Sequence, residues 1–488
     1  MAIIVFAAIL ILSVVIAIMS KKGAIGSSMS DVMTASGSFG AFLIFFVSVG
    51  EIYSIGTMIG APGSIYAAGA TYGVWFICYI LLSYVIGYFL NPAIWRIGQL
   101  SKAMSIGDVI GWRYNSKGMQ VLVAIVAIGF LTPWIQNQYA GMAILFEYLD
   151  IGVSFVAAVV LSSILAYVYI AIAGIRAPAW VSVLKDFLLI SAIIIVGVAA
   201  AVNMPGGVGG IFRTVAEIKP EMLVIPTSPI TQNVTFTMST ILFQMLGFYM
   251  LPISFQALLT SKNEKNLRKN SIYMPLYMIM FPFLVIAAYY AVATVPDLPN
   301  QDFAFLAIAA KTLPEWVIGL IAGGGALTAI LVMAISALCV GGLFSKNILG
   351  VIKPDMPSKT MVMWTRAATG IFLIFGMLTA LYFPALMANV ITLAYGGLTQ
   401  AFVAVILGFF WVRATKWGVG AGLLAGVGAL AFIKNVMLIS PLGINPGFWA
   451  LLINFAVAIV ISLATKPDPE AVRRFEIYKS TKPNRALK

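Results

Sequence analysis

Apolar runs long enough to cross a bilayer recur along nearly the whole chain, joined by short charged connections. At about 1.5 Å of rise per residue, roughly twenty such residues span the hydrocarbon layer. The runs fall at about 2–19, 39–68, 72–92, 119–146, 153–173, 183–203, 234–259, 273–295, 316–344, 365–384, 388–411, 417–439 and 448–465. With 61% hydrophobic and only 9% charged residues in 488, a water-soluble fold could not hide this apolar surface. The pattern predicts an all-α polytopic membrane protein of about 13 transmembrane helices.

Charge placement orients these segments. The first run has no basic residue ahead of it and Lys21-Lys22 behind it, the reverse of a signal peptide. Thirteen spans that begin outside place every Lys and Arg on the inner side except Arg213, Lys219, Lys311 and Lys434. That asymmetry follows the positive-inside rule, so the chain is expected in the cell membrane with its N-terminus outside and C-terminus inside. The net charge of +13 therefore reflects topology, and no nucleic-acid partner is expected. The expected partners are membrane lipid and a small organic anion, with no obligate protein partner.

Histidine is absent, which removes the commonest proton shuttle and metal ligand. Cys78 and Cys339 lie in apolar runs without metal-ligand spacing. No metal or cofactor is expected. With no paired intramembrane carboxylates and no acidic metal motif, an enzyme is not expected either.

The second run carries Val47-Ser-Val-Gly-Glu-Ile-Tyr-Ser-Ile-Gly-Thr-Met-Ile-Gly-Ala-Pro-Gly63. Its glycines and proline weaken the helical ladder, and the freed amides and carbonyls need partners that lipid cannot supply. Glu51 is the carboxylate that lies well inside an apolar run, and an ionisable group at that depth is a functional candidate by default. The seventh run is interrupted similarly, at Gly247 and Pro252. If runs 2–6 and 7–11 are two repeats, each opens with a broken helix and the odd number inverts the second copy. Paired interruptions of this kind mark the midplane site of a secondary transporter.

The residues resemble the sodium:solute symporter family, whose members share a LeuT-type 5+5 inverted repeat. The resemblance rests on Gly50-Glu-Ile-Tyr53, Gly174-Ile-Arg-Ala-Pro-Ala-Trp-Val-Ser-Val-Leu-Lys-Asp186, Asn266-Leu-Arg-Lys-Asn-Ser-Ile-Tyr-Met-Pro-Leu-Tyr277, Gly325-Ala-Leu-Thr-Ala329 and Leu343-Phe-Ser-Lys-Asn-Ile348. Within the family the chain is most similar to bacterial monocarboxylate uptake permeases. The implied organisation is an extra N-terminal helix (1–22), a first repeat (39–203), an inverted second repeat (234–411), two further helices (417–465) and a cytoplasmic tail (466–488).

Two departures bear on coupling. The resemblance implies a sodium site of helix-2 carbonyls at Gly50 and Tyr53 and two hydroxyls that fall here at Leu331 and Val332. Aliphatic side chains offer sodium no oxygen, and Thr328, one turn earlier, is a partial substitute at best. The family's frequent histidine after the helix-7 proline is Ile253 here. The site is therefore expected to be a degenerate sodium site, with the proton as coupling ion.

Resemblance and helical spacing together bring a lining near Glu51. It comprises Tyr53, Ser54 and Thr57; Trp134, Gln136, Asn137 and Gln138; Gln244, Tyr249 and Gln256; Thr328; and Tyr395 with Gln400. No Lys or Arg is expected at the midplane, so a bound carboxylate would rely on amides, hydroxyls and half-helix N-termini. A protonated Glu51 removes repulsion of an anion and supplies one proton per anion. The expected function is proton-coupled import of a lactate-, pyruvate- or acetate-type monocarboxylate. The alternative is a sodium- or proton-coupled symporter of an amino acid or other small solute. Arg176, Lys185 and Asp186 read as solvated loop charges, with an inner-gate ion pair as the alternative; Asp297 and Asp302 read as solvated loop charges, and Gly323-Gly324-Gly325 as a close approach of helix 9 to helix 2.

Overall fold

The computed structural model describes residues 1–21, 28–149, 154–227, 233–383, 387–437 and 440–481. Among them the fold is helical throughout, with one isolated bridge between Phe39 and Ser261. The helices are α1 (Ala2–Ser20), α2 (Met29–Thr34), α3 (Ala41–Ile52), α4 (Ala61–Ala68), α5 (Ala70–Ser101), α6 (Ile106–Arg113), α7 (Lys117–Leu149) and α8 (Phe155–Ala173). There follow α9 (Arg176–Asn203), α10 (Gly207–Ile218), α11 (Val234–Gly247), α12 (Pro252–Leu259), α13 (Glu264–Tyr273), α14 (Phe281–Thr294), α15 (Ala304–Thr312) and α16 (Glu315–Gly342). The chain ends with the short turn α17 (Gly350–Ile352), then α18 (Ser358–Tyr382), α19 (Met387–Leu398), α20 (Ala401–Phe410), α21 (Lys416–Phe432), α22 (Pro446–Ala464) and α23 (Pro469–Ser480).

Eleven of the described helical stretches are long and apolar enough to cross a bilayer, and twelve when the bent pair α11 and α12 counts as one. The thirteenth expected span, at 39–68, is split into α3, a π-helical turn at Gly56–Gly60, and α4, none of which spans alone. Its break follows from composition. Tyr53 leaves helical geometry at φ −85°, ψ 87°, between Gly50 and Gly56, while Pro62 sits in the first turn of α4, where its missing N–H is tolerated. In the second broken span, Leu251 takes φ −55°, ψ 124° just before Pro252, and the pair bends by 45°. Residues before proline are driven out of the helical region in this way.

α16 is the hub, 94% buried along its apolar window, whereas α1 is only 11% buried and runs at the periphery. Three successive glycines permit this position. A Cβ on Gly323 would lie 2.6 Å from Ile9 of α1, on Gly324 3.1 Å from Leu188 of α9, and on Gly325 2.5 Å from Met58 of the split span. Small residues allow close backbone approach between membrane helices. The same device joins α21 to α22, where Gly418, Gly422 and Gly426 lie against Ser462, Asn454 and Ala450.

The two broken spans are also tied at one end. Phe39 donates its amide to the Thr260 carbonyl (3.0 Å), and Lys262 donates to the Phe39 carbonyl (3.0 Å). Gln256 Nε2 donates to the Met33 carbonyl beside this junction, and Arg176 pairs with Asp31 at 2.8 Å. On the tail side, Arg113 is buried and donates to the Gly408 and Ala471 carbonyls, so α23 closes over α6 and α20. Asn233, which heads an Asn-Val-Thr triplet, is a buried N-cap that accepts from the Phe236 amide (2.9 Å).

Candidate functional site

In an unbroken helix the Gly50 carbonyl would take the Ser54 amide, and the Tyr53 carbonyl the Thr57 amide. Here Ser54 N–H turns to the Ile52 carbonyl (3.1 Å) and Thr57 N–H to the Ser54 carbonyl (2.9 Å). The Gly50 and Tyr53 oxygens are thus released from the ladder, and a buried carbonyl must find a donor. Both find Lys185, whose Nζ donates to Gly50 O at 3.1 Å and to Tyr53 O at 3.0 Å. The ammonium is fully buried and lies 2.5 Å from Asp186 Oδ1, itself fully buried. Asp186 Oδ1 also accepts from the Tyr277 hydroxyl (2.9 Å).

This corrects the reading of Lys185 and Asp186 as solvated loop charges, and of the break as lacking a cation. The helix expected from about residue 183 begins at Arg176, because Pro178 is tolerated in a first helical turn. That extension carries Lys185 and Asp186 into the third turn and against the break. Gly50 makes room for them: a Cβ there would sit 2.9 Å from Ser182 Cβ and 3.6 Å from Asp186 Oδ2. Asp186 Oδ2 has no hydrogen-bond partner among the described residues.

Aromatic groups surround this cluster. The Tyr53 ring stacks on Tyr277 at 4.4 Å between centroids, and its hydroxyl meets those of Tyr84 and the Met278 sulfur. Tyr84 packs edge-on against Phe248 at 5.9 Å, linking the two broken spans through α5. From Phe248 the contacts continue to Tyr79 (6.4 Å), from Tyr79 to Trp75 (6.1 Å) and Tyr395 (5.5 Å), and from Tyr395 to Trp134 (6.0 Å). Trp75 donates to Gln244 Oε1 at 2.7 Å. Along this aromatic path several buried polar atoms have no partner among the described residues: Trp134 Nε1, both amide atoms of Asn137, Gln138 Oε1 and Gln244 Nε2. Asn137 faces the break itself, since a Cβ on Gly56 would lie 2.6 Å from its Nδ2.

The structure thus brings Tyr53, Trp134, Gln244 and Tyr395 together, with Asn137 and Gln138. Ser54 and Thr57 are buried in the break, and Ser54 Oγ accepts the Gly56 amide at 3.1 Å. Other expected lining residues are engaged elsewhere. Gln136 donates to the Phe383 carbonyl (2.6 Å), Gln256 to Met33, and Thr328 to the Gly324 carbonyl of its own helix (2.7 Å). Tyr249 presses its hydroxyl on α5, where a Cβ on Gly87 would come within 2.2 Å. Leu331 and Val332 are buried in α16. Glu51 occupies the last turn of α3, and its side chain lies outside the described residues.

Trp75, Tyr79 and Tyr84 were not anticipated from sequence, although Tyr72, Trp75, Phe76 and Tyr79 show the i, i+3, i+4, i+7 spacing of one helical face. Asp302 was read as solvated and is not. It is 2% exposed, its Oδ1 has no partner among the described residues, and a Cβ on Gly63 would lie 2.5 Å from that oxygen. Burial pushes its carboxyl up to about 7, and a bond from the Met387 amide offsets only part of that.

Two interrupted spans meeting at a buried, polar, aromatic-walled centre define a secondary transporter. The sequence signature described as "Sodium:solute symporter family" matches residues 32–426, and the chain belongs to that family. It is 30% identical to the protein described as "Uncharacterized symporter YhjB" of Bacillus subtilis (strain 168), over 96% of this chain and 98% of the relative. It is 25% identical to a "Monocarboxylate transport permease protein" of Rhizobium johnstonii, over 89% of this chain and 90% of that protein. Among solved structures it is similar to a Na+-coupled sialic acid symporter in a substrate-bound outward-open state. The TM-score is 0.80 at 16% identity, over 96% of this chain and 98% of that one. The fold is that of the LeuT-type transporters.

Proposed function

We propose that this chain imports a small monocarboxylate together with a proton, from the side of its N-terminus to the side of its basic loops. The observation that carries the reading is the group of buried donors along the aromatic path. Trp134 Nε1, Asn137 Nδ2 and Gln244 Nε2 are N–H groups without partners among the described residues, and leaving such groups unpaired costs about 1–3 kcal/mol each. A carboxylate accepts two or more of them, and the rings of Trp75, Tyr79 and Tyr395 suit its short apolar tail. The relative named for monocarboxylate transport supports the same substrate class.

Coupling is assigned to the proton, with Glu51 as a carrier, because Leu331 and Val332 bring no oxygen to a sodium ion. One proton with one anion keeps the step electroneutral. Proteoliposomes holding the full chain should accumulate labelled acetate, propionate, lactate or pyruvate under an inward pH gradient, equally in sodium and in choline. Glu51→Gln should abolish gradient-driven accumulation and retain exchange of preloaded acid. Uptake confined to amino acids would refute the substrate class, and a Glu51→Gln variant with full pH dependence would refute its role.

A further inference from the structure

We infer that Lys185 is a cation built into the transporter, whose ammonium takes the place of a coupling sodium on the Gly50 and Tyr53 carbonyls and locks the split span to α9. The inference rests on the proton-symport reading above and deepens it by naming the group that holds the break shut. A carbonyl pair freed by a helix break is a cation-binding element, as unwound backbone in transporters generally is. In this chain a side chain fills it. Nζ lies 3.1 and 3.0 Å from the two oxygens and 2.5 Å from Asp186 Oδ1, all fully enclosed. The aliphatic residues at 331 and 332 complete the argument, since a resident ammonium needs no further oxygen from α16.

The lock opens by proton transfer. An N–H bond of the ammonium breaks, an O–H bond forms on Asp186, and the neutral amine and acid remain. The proton then leaves the acid for water. A neutral amine donates far more weakly to the Gly50 and Tyr53 carbonyls, because the charge-assisted bonds are lost. The first half of the split span is then free to part from α9.

Among the described residues, several groups face this pair. Tyr277 donates to Asp186, Tyr53 and Tyr84 meet through their hydroxyls, and Ser182 lies one turn before Asp186 and donates to the Ala179 carbonyl. Glu51 follows Gly50 in the chain. Of the other helices against α9, α1 carries no ionisable side chain. On α14 the Tyr289 hydroxyl goes to the Met222 carbonyl, and on α8 Tyr169 meets Ser13. Glu315 of α16 pairs with the N-terminal amine at 3.8 Å, and Lys311 of α15 donates to the Thr294 carbonyl. On α10 the Arg213 guanidinium donates to the Gly209 carbonyl.

Two measurements on the full chain test this. The first is thermal unfolding of the purified protein in sodium or choline chloride at equal ionic strength. Wild type should show the same midpoint in both. Lys185→Ala combined with Leu331→Ser and Val332→Ser should gain a midpoint rise that saturates with sodium and is absent in choline. A saturable sodium effect in wild type would overturn the inference, as would a folded triple variant indifferent to sodium.

The second is uptake by Lys185→Arg, which keeps a cation on the carbonyls yet cannot release a proton at working pH. It should fold and lose at least tenfold of pH-driven uptake; wild-type uptake in Lys185→Arg would overturn the inference. If the triple variant does not fold, wild type in sodium and Lys185→Arg in uptake still decide. Should wild type transport none of the acids, the substrate reading fails, while the sodium titration still tests Lys185.

Discussion

The two broken spans solve one problem by different means. Between α3 and α4 the released carbonyls are held by a charge, Lys185, which reaches over from α9. At the break between α11 and α12 the contacts come from uncharged groups. Gly247 instead lets Thr399 press so close that a Cβ would come within 1.8 Å of its Oγ1. That hydroxyl reaches the Phe243 carbonyl at 3.4 Å, and Phe248 and Tyr249 pack on α5. The first break is electrostatic and responds to protonation. The second is steric and positions the aromatic wall of the proposed substrate site.

The contrast is tested most severely by removing one charge. Asp186→Ala leaves the Lys185 ammonium buried without its carboxylate, and breaking a buried pair costs about 3–5 kcal/mol. Lys185→Met with Asp186→Leu removes both charges, and should recover much of that loss in a double-mutant cycle of thermal midpoints. If Asp186→Ala unfolds at the wild-type temperature, the first break is held by packing too, and the distinction between the breaks disappears.

Asp302 asks whether the far half of the same span also depends on an ionisable group, since it lies against Gly63 of α4. Its carboxyl titrates at about 7 in the folded protein, above the ordinary 3.8, so the folded state binds this proton more tightly than the unfolded chain. Stability from this group is therefore complete below about pH 4, falls as pH rises through 7, and levels off above. The total is on the order of a few kcal/mol. Asp302→Asn should flatten that decline and unfold at a higher temperature than wild type at pH 8. Parallel pH profiles for the two proteins would show that the carboxyl is not held in its neutral form.

A smaller effect should appear on the second break. Gln244→Leu removes the acceptor of Trp75 and one proposed carboxylate donor, and should raise KM for uptake about tenfold, equivalent to about 1.4 kcal/mol. Gln136→Leu is the control, because its amide is committed to the Phe383 carbonyl, and KM should stay unchanged. Equal effects from both would remove the distinction between lining and structural amides.

These assignments divide by what hydropathy can convey. Segment positions, the broken pair and the approach of Gly325 to the split span are legible, because each depends on local composition: Pro252 must distort its span, and Gly323–Gly325 must admit neighbours, though that Gly323 meets α1 and Gly324 meets α9 is not written in it. The Lys185 contact is not legible. It depends on where α9 begins, and the boundary moves by seven residues once Pro178 is placed in the first turn. A lysine in the first turn of an apolar run reads as a charge at the membrane edge; the same lysine in the third turn reaches another span. Asp302 departs from its sequence reading for a related reason: a residue in a connection reads as solvated, and the loop before α15 instead folds inward over Gly63.

The mildest change separates backbone from side chain at the first break. Tyr53 contributes its carbonyl to Lys185, while its ring stacks on Tyr277 and its hydroxyl meets Tyr84 and Met278. Tyr53→Phe keeps the carbonyl and the stacking and loses only the hydroxyl contacts, one of which leaves Tyr84 short of a buried partner. The expected cost is about 1–2 kcal/mol in thermal unfolding. Insensitivity to sodium and the pH dependence of uptake should both persist, because the cation is held by main-chain oxygen. If Tyr53→Phe instead loses pH-driven uptake while remaining folded, the hydroxyls of Tyr53 and Tyr84 carry the proton, and the break would be governed by side chains after all.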